Sequence, residues 1–157
     1  MRLAFYTVLV LLAAVVDHAC LTRWPASPDL TLAFAAWAMV DGDEDGVVWR
    51  ALIAGLAREL VDPVATGFHL GAMLALAVVF LPLRRFFFRA RSTAWAVWAG
   101  LAYLLVRCAD GLLTGFGDHQ PAVLVIGALG TALVAVACGW LFGGLPAALR
   151  PVPPSGA

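Results

Sequence analysis

The chain has 157 residues, 63% of them hydrophobic and 13% charged, with a mean hydropathy of +0.94. That leaves too few polar side chains to cover a soluble domain of this length, and the long apolar runs read as helices hydrophobic on all sides, as in lipid. Ten acidic and ten basic residues cancel, and there is no lysine, which excludes a nucleic-acid-binding surface.

The expectation is an all-α fold, a polytopic membrane helical bundle of about six transmembrane segments, with segments two and three short. Residues 1–150 are enough for one bundle, and the tail 151–157, PVPPSGA, reads as disordered. Cys20, Cys108 and Cys138 lie far apart in or beside apolar runs. Their spacing fits no metal site, so they read as small packing residues and no cofactor is expected.

The first apolar run is Leu3 to Val16. A signal peptide would need small residues before its cleavage site, whereas Asp17, His18 and Ala19 precede Cys20. An uncleaved first span is predicted. Pro25 and Pro28 mark a turn. Leu30 to Val40 is apolar but shorter than the roughly 20 residues of a full crossing. It reads as tilted, partly buried or re-entrant.

Asp41 to Gly46 reads DGDEDG, like the opening of a calcium loop. The twelfth position, which should be a glutamate, is Leu52, so an acidic turn capping the next helix is the better reading. Val47 to Val61 is the third segment. Arg58 and Asp62 stand four apart on one face and are expected to pair. Pro63 ends the helix, Val64 to Gly67 turn, and Phe68 to Leu81 form the fourth segment. Gly67 and Gly71 share a close-packing spacing.

Arg84, Arg85, Arg89 and Arg91 surround Phe86 to Phe88. Four arginines in one short loop place it on the cytoplasmic side, where it sets the orientation of the chain and can also hold anionic lipid head groups. Both termini then fall inside. Ala94 to Leu113 is the fifth span, and carries Arg107 and Asp110, a second candidate pair. Pro121 opens the last span, Ala122 to Phe142, where Gly139 and Gly143 repeat the close-packing spacing.

This topology collects charge at the outer side. Asp17 and His18, then Arg58, Glu59 and Asp62, then His69, then Arg107 and Asp110 all fall there, on four spans. Charge inside a bilayer is costly, so these groups should pair, face inward or meet water or a partner. No HExxH, GxSxG or phosphate loop is present, and His18, His69 and His119 lie on different segments. No enzymatic activity is expected.

The hairpin GLARELVDPVATGFHLGAMLALAVVFL, Gly55 to Leu81, resembles the rod shape-determining protein MreD family. The resemblance lies in a glycine- and leucine-rich helix, acidic residues at Glu59 and Asp62, a small-residue turn, and the triplet Gly67, Phe68, His69. A long apolar span and arginines follow. The opening PDLTLAF, from Pro28, is also similar. Where Glu59 stands the family usually has aspartate, and the Asp41–Asp45 acidic loop is unusual.

The resemblance implies a non-enzymatic protein of the bacterial inner membrane. It would bind an MreC-like periplasmic coiled-coil protein and, through it, link MreB filaments to RodA and a penicillin-binding protein in peptidoglycan synthesis. Glu59, Asp62, Gly67, Phe68, His69 and Gly71 would form the partner-binding or structural corner. The family is similar in fold to the substrate-binding subunits of energy-coupling-factor vitamin transporters. A vitamin-binding subunit with its pocket in the outer polar cluster is therefore the alternative.

Overall fold

The structure, a computed structural model, describes residues 2–21, 24, 26–41, 44–62, 67–87, 91–115 and 120–143. Among these the chain is all helical. The six α-helices are α1 (Arg2–Val16), α2 (Leu30–Asp41), α3 (Glu44–Val61), α4 (Phe68–Phe87), α5 (Arg91–Thr114) and α6 (Pro121–Gly143). A wider, π-helical turn, Asp17–Leu21, extends α1.

Three helical stretches, Leu3–Leu21, Thr93–Leu113 and Pro121–Phe142, are long and apolar enough to cross a membrane. Leu30–Val40 and Phe68–Leu83 are apolar but shorter. The chain therefore has the character of a membrane protein. Side chains on the outer faces agree with that: Leu60, Leu112, Leu133 and Trp140 are each more than 70% exposed.

The shortest helix organises the bundle. α2 has 12 residues, and nearly all of them are buried. It packs against α1, α3, α5 and α6, which explains a sequence apolar on every side. Of the three readings its length allowed, burial is the one observed. Two hairpins, α3 with α4 and α5 with α6, form the most extensive pairs and flank it. α4 and α5 touch little, mainly where Phe80 tilts against Trp98 with ring centroids 4.9 Å apart.

Glycines set the closest approaches. A Cβ on Gly55 of α3 would lie 2.7 Å from the Leu70 Cα, so only glycine lets α4 pack there. On α6, Gly127 receives the Tyr103 ring and Gly139 receives Trp95, both from α5. The expected role of Gly139 thus matches its surroundings. Gly67 and Gly71 are different: a Cβ on either would meet nothing within 4 Å. Gly67 has φ +86°, so it serves the turn into α4 and not close packing inside this chain.

Several boundaries shift. α3 begins at Glu44, three residues earlier than the sequence suggested. Gly42 and Asp43 of the acidic stretch lie outside the described residues. α4 runs through Pro82 to Phe87. Pro82 is exposed and stands inside α4, where it has no N–H to offer the Val78 carbonyl. Arg84 and Arg85 therefore continue α4 and Arg91 opens α5, whereas Arg89 lies outside the described residues, as do the turn 63–66 and the tail 144–157.

Candidate functional site at the N-terminus of the central helix

The α-helices alternate in direction, and one end of the bundle gathers the ends of α1, α3 and α5 with the starts of α2, α4 and α6. There the exposed N–H groups of α2 draw in two carboxylates. Asp29 is its N-cap: the Leu32 N–H donates to Asp29 Oδ1 at 2.8 Å. Asp17, from the π-helical turn, accepts from the Leu30 N–H at 2.9 Å and, through Oδ2, from the Thr31 N–H at 2.8 Å and the Thr31 hydroxyl at 2.7 Å. One helix start is thus capped twice, by its own residue and by the end of the preceding helix.

Arg58, in the last turn of α3, forms a salt bridge with Asp29 Oδ2. The Asp29 side chain is 5% exposed and that of Arg58 19%. Burial by itself pushes the Asp29 carboxyl up. The Arg58 charge and hydrogen bond, the Leu32 N–H and the more distant Arg107 charge outweigh burial and hold it below the ordinary carboxylate range. The Asp29 N–H donates to Thr131 Oγ1 at 3.0 Å, and the Thr131 hydroxyl donates to the Gly127 carbonyl at 2.9 Å. The site therefore ties together α1, α2, α3 and α6.

Arg58, a candidate partner of Asp62 by spacing, forms a salt bridge with Asp29. Helical spacing puts Arg58 and Asp62 near one another, but the buried cap of α2 offers a fixed carboxylate in a drier place. Asp62 Oδ2 lies 3.7 Å from His69 Nε2 at the α3–α4 corner, and its charge still reaches Arg58. The His69 ring stands edge-on to Phe68, with centroids 5.4 Å apart. Glu59 reaches across the same corner. Its carboxylate accepts from the Gly67 N–H at 2.9 Å and the Leu70 N–H at 3.1 Å, capping α4 as Asp17 caps α2.

Arg107, on α5, faces the same end. Its guanidinium lies over the Tyr103 ring, 5.4 Å from the centroid. Asp110 follows one turn later on α5. A cavity of about 30 Å³ opens between Asp17, Ser27, Asp29, Arg58 and Arg107. That is roughly the space of one water molecule.

At the opposite end the Arg50 guanidinium donates to the Ala38 carbonyl at 2.8 Å, a cation on the C-terminal turn of α2. The Tyr6 hydroxyl donates to the Arg50 carbonyl at 3.0 Å.

Asp29 and Thr31 entered the sequence reading only within the motif PDLTLAF, without a site role, and Thr131 did not enter it. Asp29 did carry a signal, since an aspartate after a proline and directly before an apolar run is an N-cap pattern. Thr131 gave only the weaker hint of a lone hydroxyl in an apolar helix. No group of three or more His, Cys, Asp or Glu side chains among the described residues is placed to hold a metal ion. Comparison with known protein families, curated proteins and solved structures returns no match to this chain.

Proposed function

We propose that the chain is a non-enzymatic scaffold of the bacterial cell-elongation machinery. It sits in the cytoplasmic membrane with both termini inside and binds an MreC-like partner that crosses the membrane once. The reading rests on the resemblance of the Gly55–Leu81 hairpin to the MreD family, and one observation carries it to a surface. Gly71 on α4 is exposed and open, and Ala75, one turn on, is exposed as well. A small residue every fourth position lets a second helix come close in lipid, where packing is the main attraction.

Two features favour this over a vitamin-binding subunit. Asp17, Asp29, Arg58 and Glu59 are taken up in capping and pairing within the chain. Its cavity, about 30 Å³, is an order of magnitude below the roughly 300 Å³ at which small-molecule pockets begin.

The test is recovery of an MreC-like protein with the tagged chain in mild detergent. Gly71→Leu should lower recovery and leave the thermal stability of the isolated chain unchanged. Leu133→Trp, on the exposed face of α6, should do neither. Undiminished recovery with Gly71→Leu would remove this surface, and co-purification with a coupling subunit and paired ATPases would replace the reading with the transporter one.

A further inference from the structure

The small cavity beside the start of α2 supports an inference independent of the scaffold reading. The acceptors and donors around it do not balance among the described residues. Asp29 is taken by Arg58 and the Leu32 N–H. Asp17 accepts three hydrogen bonds, all from α2 and none from a cation among the described residues. Arg107 lines the cavity and lies over Tyr103, but has no hydrogen-bond acceptor among the described residues.

Formal charge points the same way. Asp17, Asp29 and Arg58 together carry one negative charge into a mostly apolar bundle, and Arg107 cancels it. An unbalanced carboxylate and an unbalanced guanidinium are both costly inside an apolar bundle. The two are not in direct contact. α1 packs on α2 and α3, α5 packs on α2 and α6, and Asp17 and Arg107 both line the cavity.

The occupant must fit about 30 Å³ and both accept and donate. An inorganic anion would face two carboxylates, and a cation two guanidinium groups. Water meets both demands, and the polar lining supplies the two to four partners that a buried water needs. We propose that the cavity is a water site, in which one ordered water accepts from the Arg107 guanidinium and donates to the Asp17 carboxylate. This hydrated ion pair fastens α5 to α1 and completes a neutral quartet of two aspartates and two arginines.

The experiment is a double-mutant cycle on the full chain in detergent, read by thermal unfolding. Arg107→Met and Asp17→Asn should each lower the midpoint by a few degrees, and the double variant should fall no further than the worse single one. Additive losses would overturn the link. Asp17→Asn also weakens the cap of α2, so a second cycle leaves Asp17 in place. Ser27→Val narrows the cavity and displaces the water. In that background Arg107→Met should cost clearly less than in the native chain, and an equal cost in both would show that nothing passes through the cavity.

Discussion

Arg58 and Asp29 stand 29 residues apart in the chain and share one salt bridge, which joins the last turn of α3 to the cap of α2. Asp29 serves two partners at once, a helix start and a cation. Arg58→Leu would strand a buried carboxylate, and a loss of about 3–5 kcal/mol is expected. The double variant Asp29→Asn with Arg58→Leu should lose less than the two single losses together. Denaturant or thermal unfolding of the four proteins checks this, and simple additivity would mean that the pair contributes nothing as a pair.

The pH dependence follows from the same carboxyl. Asp29 is held below its ordinary 3.8 in the folded chain. A lowered value binds fewer protons folded than unfolded, so its contribution is complete above the unfolded value and fades as pH falls through the folded one. The stability difference between native protein and Asp29→Asn should therefore shrink as pH falls below about 4. A difference that grew on acidification would contradict the sign.

Three glycines of the hairpin should respond in three ways. Gly55→Ala drives a methyl to 2.7 Å from the Leu70 Cα, and a cost of about 1–3 kcal/mol is expected. Gly67→Ala meets no atom but must hold φ near +86°, at a cost of about 1–2 kcal/mol. Gly71→Ala, with neither problem, should leave the isolated chain as stable as before. Unfolding midpoints of the three variants decide it.

Thr131→Val keeps the shape of the side chain and removes the acceptor for the buried Asp29 N–H. An unpaired buried donor costs about 1–3 kcal/mol. Thr131→Ser should recover most of that loss, because the hydroxyl is what matters. If valine and serine behave alike, the hydrogen bond is not what Thr131 supplies.

The fold was legible because lipid removes the usual ambiguity. Runs such as Pro121 to Phe142 are apolar all round, and only a helix satisfies its own backbone in such surroundings. The gathering of Asp17, Arg58, Glu59, His69 and Arg107 at one end was legible too, since alternating helices sort residues by position alone. The pairing was not. Helical spacing suggested Arg58 with Asp62, while the actual salt bridge depends on where α2 starts relative to α3, a tertiary fact with no local trace. Spacing likewise marked Gly67 and Gly71 but could not say which face would meet a neighbour. Gly55 has a small residue four positions before it, Ala51, yet that spacing passed unremarked although Gly55 carries the close contact.

The brevity of α2 bears on the membrane itself. At 12 residues it is roughly 18 Å long, against about 30 Å for the hydrocarbon layer. Its two ends carry the polar groups, Asp17 and Asp29 with their arginines at one and Arg50 at the other. Set across a bilayer, α2 covers little more than half the thickness of the lipid around it, so at least one of its polar ends lies level with hydrocarbon and has to be shielded by the surrounding helices.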